Sequence, residues 1–361
     1  MSSIKQIEVI YHGVLVGRLA LTKQRLCAFE YSVQWLRSGF SISPFELPLR
    51  EGVFIAKPTP FGGGFGVFDD SLPDGWGLLI LDRYLQRQGV SLPTLTLLDR
   101  LALVGSTGRG ALEFRPDRSV ISQEEYSDFE RLALEAEAIL GSDDYTGEGV
   151  DEFQRRGGSA GGARPKIFAH YQGREWLVKF RAMQDAKSVG AVEYRYSQLA
   201  RKCGVDMPET RLFEGKYFGV ERFDRSPSGK VHTVSVAGLI GADYRLPSID
   251  YLHIFQVCAL LTHSVAQLYK LYRLMVFNYL IGNKDDHAKN FAFIYADDRW
   301  QLSPAYDLLP SYGLNGFHTT TINDSIEPSY SDLIAVAVKS GLDRAECEAI
   351  FKAIKAQLQA E

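Results

Sequence analysis

The strongest constraint on the fold of this 361-residue chain is a switch in its hydrophobic periodicity. Residues 166–225 read as short alternating segments of the β type around a single helical stretch, VEYRYSQLARKCG. After Ser248 the pattern becomes mainly helical, with the long apolar runs YLHIFQVCALL and LYKLYRLMVFNYLIG. A sheet-rich half followed by a helical half predicts a two-lobed α+β fold, with a β-rich N-lobe and a helical C-lobe.

A small additional α+β module is predicted before these two lobes. Two alternating segments flank His12 and Gly13, which suit the tight turn of a β-hairpin. Two helical stretches follow, and each ends at a glycine. An amphipathic linker helix, EEYSDFERLALEAEAIL, then leads to the polar segment GSDDYTGEG. We therefore expect the module at residues 1–115, the linker helix and N-lobe at 116–225, and the helical C-lobe at 226–361.

Composition excludes several classes of protein. The formal net charge of −4 gives no indication of bulk attraction to nucleic acid. The four cysteines are far apart, form no CxxC pair and lie among apolar neighbours, which predicts reduced core residues. No apolar run reaches the roughly 18 residues of a membrane span, and the segment MSSIKQIEVI lacks the apolar stretch of a signal peptide. These features predict a cytoplasmic protein that does not enter a membrane.

The first chemical motif is a glycine-rich segment at residues 157–162, GGSAGG, followed by Lys166. Its small residues let backbone N–H groups approach anionic oxygens, and the lysine adds a point charge just beyond. Gly158, Ser159 and Ala160 are the expected phosphate-contacting positions. A plain flexible turn is the alternative interpretation, because a glycine run alone is a weak motif.

Two further features stand where a nucleotide-binding lobe needs them. Lys179 lies in the apolar strand segment WLVKF, so its ammonium must emerge at a strand end or meet an anion. Glu193, on the next helix, is the expected partner of such a lysine. Residues 220–225, VERFDR, lie where a hinge would offer backbone hydrogen bonds to adenine. Each feature has an alternative interpretation. Lys179 could be a snorkelling surface lysine, Glu193 a solvated helical glutamate, and residues 220–225 an ordinary charged turn.

The most specific motif is GNKDDHAKN at residues 282–290, directly after a long apolar helix. Asp285 can accept the proton of a substrate hydroxyl, and the amide oxygen of Asn290 can bind magnesium. The D-x4-N spacing between them equals that of the protein-kinase catalytic loop. Lys289 is placed to neutralise a transferring phosphate. A helix-capping loop is the alternative, yet a cap uses one Asp or Asn, whereas this segment holds several chargeable or amide groups besides His287.

The last motif, SPAYDLLP at residues 303–310, follows a short hairpin. Asp307 is positioned as the second magnesium ligand, and Leu308 takes the anchoring place that Phe holds in the kinase DFG segment. Magnesium needs only one or two carboxylates plus phosphate oxygens, so Asn290 and Asp307 form a sufficient protein set. The order of these motifs along the chain predicts phosphoryl transfer from ATP in the presence of Mg²⁺.

At these motifs the chain resembles the HipA family of bacterial toxin kinases. The matching segments are GGSAGGARPK, WLVKF, VERFDR, GNKDDHAKN and PAYDLLP, with SLPDGWG and VGSTGRGAL in the N-terminal module. The resemblance implies an ATP-dependent kinase that phosphorylates a serine or threonine of a protein, with family targets among the aminoacyl-tRNA synthetases. It also implies a HipB-like helix-turn-helix antitoxin as partner, through which alone DNA would be contacted.

Carried over by motif position, the resemblance implies a role for each candidate site residue. Asp285 is the catalytic base and Lys289 assists catalysis, while Asn290 and Asp307 bind the metal. Ser159 is the position of autophosphorylation, which would place about two negative charges in the phosphate-binding loop and repel ATP. Two members of the nucleotide-binding set flank the adenine, Glu221 and Phe223. The other members are Gly158, Ser159, Ala160, Lys166, Lys179 and His287.

Two rival functions fit the same motifs. A lipid or small-molecule kinase would share this two-lobed chemistry, because the sequence does not reveal the acceptor. Phosphate transfer to lipid vesicles or aminoglycosides would identify such an enzyme. The other rival is a catalytically silent kinase-fold protein that acts as a co-repressor with a DNA-binding antitoxin. The presence of every catalytic side chain argues against this last interpretation.

Overall fold

The computed structural model describes residues 4–120, 128–143, 145, 147–157, 159–313 and 315–360. Gly158, one of the predicted phosphate-contacting positions, lies outside the described residues. The chain divides into two compact units. The first comprises Met1–Ala191 with Thr210–His232, and the second comprises Val192–Glu209 with Thr233–Glu361. The boundaries near residues 115 and 225 that the sequence predicts remain predictions.

The first unit begins with the strands β1 (Gln6–Tyr11), β2 (Val14–Leu21), β3 (Cys27–Tyr31), β4 (Val53–Ile55) and β5 (Leu112–Arg115). They form one antiparallel sheet in the order β4-β3-β2-β1-β5. His12 and Gly13 both have positive φ, 46° and 79°, so the predicted tight turn joins β1 to β2. The apolar residues of β1 and β2 are largely buried, as their alternation in the sequence predicts.

The helices of the first unit are α1 (Val33–Ser38), α2 (Gly66–Asp69), α3 (Gly75–Arg87), α4 (Leu97–Val104), α5 (Phe129–Gly141) and α6 (Gly149–Gly157). A 3-10 turn at Leu92–Thr94 follows α3. Helix α4 begins at a capping box, in which Thr96 and Asp99 each accept the other's backbone N–H. Helix α6 lies outside the predicted elements. Its sequence, GVDEFQRRG, is mostly polar, and its apolar face consists of Val150 and Phe153.

A second antiparallel sheet of the first unit is built from β6 (Lys166–Tyr171), β7 (Arg174–Lys179), β8 (Thr210–Phe213) and β9 (Tyr217–Glu221). Its order is β6-β7-β9-β8. Gln172 and Gly173, with φ of 52° and 74°, form the tight turn between β6 and β7. The predicted inserted helix is α7 (Val189–Lys202), and a short hairpin of β10 (Arg225–Ser226) and β11 (Gly229–Lys230) follows β9.

One hydrophobic core joins the N-terminal module to this second sheet. It contains Trp76 of α3, Phe129 of α5, Phe153 of α6, and Ile167 and Val178 of β6 and β7. The aromatic rings of Trp76 and Phe153 meet edge to face at 5.1 Å. Helix α3 is therefore packed on the same core as the strands that carry the predicted phosphate-binding lysines.

The second unit contains α8 (Val236–Ile240), α9 (Tyr251–Thr262), α10 (Val265–Ile281), α11 (Tyr330–Lys339) and α12 (Arg344–Gln359). A 3-10 turn spans Ala288–Asn290. Strands β12 (His232–Ser235), β14 (Ala292–Ala296) and β15 (Arg299–Leu302) form one sheet, and β13 (Ile249–Asp250) pairs in parallel with β16 (Thr320–Thr321). Asp297 and Asp298, with φ of 51° and 56°, close the hairpin of β14 and β15.

The predicted α+β class is confirmed, because a β-rich first unit precedes a mainly helical second unit. All four cysteines are buried and free, as predicted. Within the described ranges, no helix combines the length and the apolarity needed to cross a membrane.

Candidate active site

The GNKDDHAKN segment forms an ordered loop at the end of α10. Gly282 has a φ of +69°, a left-handed conformation that ends the helix at no steric cost. The N–H of Asn283 then donates to the carbonyl oxygen of Asn278 at 2.9 Å, which closes the last helical turn. The loop ends in the 3-10 turn Ala288–Asn290. We refer to residues 282–290 as the catalytic loop, after the role that the sequence predicts for them.

Ser311 anchors the catalytic loop from the segment that follows the SPAYDLLP motif. Its Oγ accepts hydrogen bonds from the N–H groups of Lys284 and Asp285, at 2.9 and 2.8 Å. The same hydroxyl donates to Oδ1 of Asn283 at 3.2 Å. The N–H of Ser311 donates to the carbonyl oxygen of Gly282 at 3.1 Å. One serine therefore fixes the backbone on which Asp285 stands.

Asn283 ties the same loop to Asp307. Its side chain is buried, and Nδ2 donates both to Oδ1 of Asn278, at 3.0 Å, and to the carbonyl oxygen of Asp307, at 3.2 Å. A second link lies further along, where the hydroxyl of Tyr306 donates to the carbonyl oxygen of Lys289 at 2.6 Å. The two motifs that the sequence predicts to hold the metal are thus joined directly within the second unit.

Asp286 is buried and anchors the loop through hydrogen bonds, and no role was predicted for it from the sequence. Its Oδ1 accepts the N–H groups of Thr319 and Thr320 at 3.0 and 3.3 Å. Its Oδ2 lies 2.9 Å from Nδ1 of His318 and accepts the hydroxyl of Tyr251 at 3.2 Å. Burial, and then the Asp286 charge, raise the pKa of Tyr251 well above its ordinary value, so the phenol remains a proton donor.

Asp285 and Asn290 are held together at the solvent-facing side of the loop. Nδ2 of Asn290 donates to the carbonyl oxygen of Asp285 at 2.6 Å, so the amide oxygen is the acceptor that Asn290 can offer to a ligand. The side chain of Asp285 is exposed, whereas that of its neighbour Asp286 is buried. Consecutive aspartates therefore have different tasks, one as an anchor and one at the surface of the site.

Asp307 is exposed, and its backbone is left-handed, with a φ of +54°. A left-handed conformation is unfavourable for residues other than Gly, Asn and Asp, and it occurs mostly where surrounding structure enforces it. The next residue, Leu308, is buried, as expected for the residue that anchors this segment. The bond from Asn283 to the Asp307 carbonyl and the burial of Leu308 together hold the turn that presents the Asp307 carboxylate.

Lys289 and His287 share an aromatic neighbour. Nζ of Lys289 lies 4.1 Å from the centre of the Tyr244 ring, and the His287 ring lies 5.8 Å from the same ring. Nδ1 of His287 is buried and has no hydrogen-bond partner among the residues that the structure describes. A buried ring nitrogen in that state is a candidate for contact with a ligand.

The oxygen donors of this site fit magnesium. Asp307 supplies an exposed carboxylate and Asn290 an amide oxygen, and hard oxygen ligands are those that Mg²⁺ prefers. Over the described part of the chain, no group of three or more His, Cys, Asp or Glu side chains is arranged to hold a metal. A magnesium ion that takes its other ligands from phosphate and water does not need such a group.

In the first unit, Lys166 and Lys179 are direct cross-strand partners. Lys166 opens β6, Lys179 ends β7, and the two residues face each other in the register of the antiparallel pair. Directly opposite residues of such a pair project from the same face of the sheet. Both lysines are buried, with 5% and 8% of their surface exposed. Two lysines on one face of a sheet can bind an anion such as a phosphate.

Burial corrects two of the alternative interpretations, one for Lys179 and one for Glu193. Nζ of Lys166 donates to the carbonyl oxygen of Gly161, and Nζ of Lys179 lies 5.6 Å from the centre of the Phe218 ring. Lys179 is therefore not a surface lysine. Glu193 is also buried, on α7, so the interpretation of it as a solvated helical glutamate is wrong as well.

The glycine-rich loop carries Ser159 in a closed position. The Ser159 hydroxyl donates to the carbonyl oxygen of Thr107 at 2.8 Å, and the residue is buried. The N–H of Ala160 donates to the carbonyl oxygen of Gly157 at 2.8 Å. The Ser159 contact therefore joins the loop to the VGSTGRGAL segment of the N-terminal module.

The predicted hinge contains a buried ion cluster. Asp224 accepts hydrogen bonds from Arg222 and Arg225 and, at 2.8 Å, from the N–H of Gly110. Arg225 also donates to the carbonyl oxygen of Gly108 at 3.1 Å. The interpretation of this segment as an ordinary charged turn is wrong, because its charges bind the VGSTGRGAL segment.

The two hinge residues predicted to flank adenine lie nearer the surface than the ion cluster. Glu221 pairs with Arg174 at 3.1 Å, with both side chains partly exposed. The guanidinium of Arg109 lies 6.0 Å from the centre of the Phe223 ring. Glu221 and Phe223 remain predictions as adenine neighbours.

Two family models match this chain. The family model described as the HipA N-terminal domain matches residues 7–115, and the model described as the HipA-like C-terminal domain matches residues 158–361. The serine/threonine-protein kinase toxin HipA of Shewanella oneidensis is 23% identical over 370 residues, which cover 91% of this chain and 82% of that protein.

A second relative is Y4dM of Sinorhizobium fredii, which carries a provisional kinase designation. It is 34% identical over 178 residues, which cover 44% of this chain and 43% of that protein. This match therefore spans less than half of the relative's own length.

A solved structure shows the same fold over nearly the whole chain. It is the complex of Shewanella oneidensis HipA with HipB and operator DNA, and its alignment has a TM-score of 0.70 at 19% identity. The alignment covers 96% of this chain and 88% of that chain. Since the C-terminal family model alone matches more than half of the residues, this chain belongs to the HipA family.

Proposed function

We propose that this protein is an ATP-dependent serine/threonine protein kinase of the HipA toxin type. The observation that carries the proposal is the anchoring of the catalytic loop to the segment around Asp307. Hydrogen bonds link the backbone segments that carry Asp285, Asn290 and Asp307. Asp285 and Asp307 each contribute an exposed carboxylate, and Asn290 contributes an amide. A base and two oxygen ligands for a divalent ion are the side chains that phosphoryl transfer requires.

Asn290 and Asp307 are the proposed magnesium ligands. When bound, the ion would neutralise charge on the phosphate oxygens of ATP. The residues of this chain then have two tasks: the Asn283 bond fixes Asp307, and the Asp285 carbonyl fixes the Asn290 amide. Both contacts hold the ligands before the nucleotide arrives, which limits the ordering needed on binding.

Asp285 is the proposed general base. It accepts the proton of the substrate hydroxyl while that oxygen forms a bond to the γ-phosphorus, and the bond from phosphorus to the β,γ-bridging oxygen breaks to release ADP. Its exposed position suits access by a protein substrate. Lys289, beside Tyr244, would stabilise negative charge on the phosphoryl group as it is transferred.

Lys166 and Lys179 are the proposed phosphate contacts. Their shared register concentrates two positive charges on one face of the sheet, next to the carbonyl that Lys166 engages in the glycine-rich loop. Paired cations of this kind suit the several negative charges of a triphosphate. This pairing supports a polyphosphate ligand independently of the aspartates.

Ser159 is the proposed site of autophosphorylation. A phosphate at this position would prevent the hydrogen bond between Ser159 and the Thr107 carbonyl. In the closed loop its hydroxyl is a donor to the Thr107 carbonyl. A phosphoserine dianion has only acceptor oxygens, so it could not restore that bond and would be repelled by the carbonyl. Phosphorylation would therefore keep the loop out of its closed position.

The proposed biological role rests on the family. The relative from Shewanella oneidensis is named a toxin, and its structure contains HipB and operator DNA. For this protein we propose a HipB-like helix-turn-helix antitoxin as partner, with DNA contacted through that antitoxin. A translation-related protein such as an aminoacyl-tRNA synthetase is the proposed substrate.

The direct test is transfer of labelled phosphate from Mg-[γ-³²P]ATP to proteins of a bacterial lysate. We expect labelled protein with the wild type and with Glu8→Ala, a surface control, and none with Asp285→Asn. Label in lipid vesicles or aminoglycosides, with none in protein, would identify a lipid or small-molecule kinase. Absence of label from every acceptor and from the protein itself would favour the silent co-repressor.

A further inference from the structure

The glycine-rich loop is docked on the first turn of α3, in the N-terminal module. The N–H of Trp76 donates to the carbonyl oxygen of Gly162 at 2.9 Å. In the opposite direction, the N–H of Gly162 donates to Oδ1 of Asp74. Loop and helix are therefore joined by a reciprocal pair of hydrogen bonds, one between backbone groups and one from the loop backbone to the Asp74 carboxylate, 88 positions away in the chain.

Asp74 occupies the N-cap position of α3 without performing the usual task of a cap. An N-cap aspartate ordinarily accepts an N–H from the first turn of its own helix. Asp74 makes no such side-chain bond, and its carboxylate binds the glycine-rich loop. The orphan N–H of Trp76 is satisfied by the loop carbonyl. The loop therefore supplies an acceptor for an N–H of the first turn of α3, and Asp74 at the start of α3 supplies an acceptor for an N–H of the loop.

The loop approaches α3 so closely at two positions that only glycine fits there. A Cβ at Gly75 would lie 2.5 Å from the carbonyl oxygen of Gly162, and a Cβ at Gly77 would lie closer still to the carbonyl oxygen of Ala160. No side chain fits at either distance. Gly77 stands inside a helix, where glycine is less favourable than alanine, so close approach of the loop is the physical reason for glycine there.

We propose that Asp74 is a positioning residue for nucleotide binding, which holds the glycine-rich loop in its phosphate-binding conformation from the N-terminal module. The inference rests on the proposed function, since the loop is the proposed phosphate cover. Lys166, the proposed phosphate contact, donates to Gly161, the residue next to the one that Asp74 holds. Loss of the Asp74 carboxylate therefore loosens the loop and, with it, the carbonyl that fixes the lysine. Binding of ATP must then supply the ordering that the helix now supplies.

Hydrogen exchange tests the docking without any reference to catalysis. In the full-length protein without nucleotide, we expect Asp74→Ala to raise the exchange rate of the peptide carrying residues 159–162 about tenfold, the usual scale for a charge-assisted hydrogen bond. Asp74→Asn keeps an acceptor and should stay near the wild type. Asp82→Asn, on the same helix and bonded to Gln86, is the matched control. Wild-type exchange in Asp74→Ala would overturn the proposal.

Gly77→Ala gives a second test in which helix stability and loop docking move in opposite directions. Alanine favours the helix, yet its methyl group would lie against the backbone carbonyl of Ala160 and should displace the loop, so exchange at residues 159–162 should rise. Unchanged exchange in this variant would show that the close approach does not hold the loop.

Kinetics connect the docking to function. We expect Asp74→Ala to raise the KM for ATP about tenfold with kcat within about threefold, and Asp74→Asn to recover most of the loss. A general loss of folded protein would instead lower kcat and leave KM unchanged. If exchange rises but KM does not, Asp74 positions the loop without serving ATP, and the proposal is wrong. If the wild type transfers no phosphate, the proposed function fails, while the exchange result still decides the docking.

Discussion

Replacement of Asp224 by alanine should be among the most destabilising single changes in the first unit. The Asp224 side chain is 7% exposed and accepts four hydrogen bonds, from Arg222 Nε and Arg222 NH2, from Arg225 NH1 and from the N–H of Gly110. Alanine would leave the buried Arg222 guanidinium facing only the more distant Glu175, at 3.4 Å. Removal of one member of a buried ion pair costs about 3–5 kcal/mol of unfolding free energy.

The control for this change is an exposed ion pair of the same unit. Arg18 and Glu8 lie 3.2 Å apart, with 51% and 42% of their side chains exposed. Solvent screening limits such a pair to about 0–1 kcal/mol, so Glu8→Ala should change stability little. Urea unfolding followed by tryptophan fluorescence reports mainly on the first unit, because Trp35, Trp76 and Trp176 belong to it.

Acid provides a second check on the same residue. Burial alone would raise the pKa of Asp224, but Arg222, Arg225 and the hydrogen bonds lower it well below its usual range. Because the folded pKa is depressed, its stabilising contribution is complete above the unfolded value of about 3.9 and is lost as pH falls below it. The difference in unfolding free energy between the wild type and Asp224→Ala should therefore be about 1 kcal/mol smaller at pH 3 than at pH 6. Two results would refute this role of Asp224. One is a loss of unfolding free energy below 1 kcal/mol in Asp224→Ala at pH 6, and the other is a difference in unfolding free energy that does not change with pH.

Three further changes test the active site and its support. Asp307→Asn should weaken ATP binding more than tenfold in the presence of Mg²⁺ and little in its absence, as measured by calorimetry; equal effects in both would argue against a metal ligand. Asp286→Ala leaves the buried N–H groups of Thr319 and Thr320 without their acceptor and should cost about 2–4 kcal/mol in urea unfolding; a loss below 1 kcal/mol would contradict the anchor role. Ser159→Ala should abolish phosphate on the glycine-rich loop by mass spectrometry, whereas phosphate found only elsewhere in the wild type would count against this site.

Elements governed by local pattern could be predicted from the sequence. The His12 and Gly13 turn follows from two residues that tolerate positive φ between alternating segments. Helix α12, with the sequence RAECEAIFKAIKAQLQ, has apolar residues at the 3.6-residue spacing by which a helix can be predicted from sequence. The catalytic loop was marked by a density of polar side chains directly after a buried helix, and the structure joins it to the Asp307 motif.

The supporting contacts could not be predicted, because they depend on long-range register. Asp74 meets Gly162 across 88 positions, and Asp224 meets Gly110 across 114. Nothing in a local window distinguishes Asp286, which is buried, from the exposed Asp285 beside it. The facing of Lys166 and Lys179 likewise follows from strand pairing and not from their spacing.

We propose that Asp285 acts in the chemical step of phosphoryl transfer and not in nucleotide binding. The most direct test is a single-turnover comparison of wild type and Asp285→Asn with Mg-ATP and a labelled protein substrate. We predict that the transfer rate falls by about 10²–10⁴ while the Kd for Mg-ATP stays within about threefold. Transfer by Asp285→Asn at the wild-type rate would contradict the account.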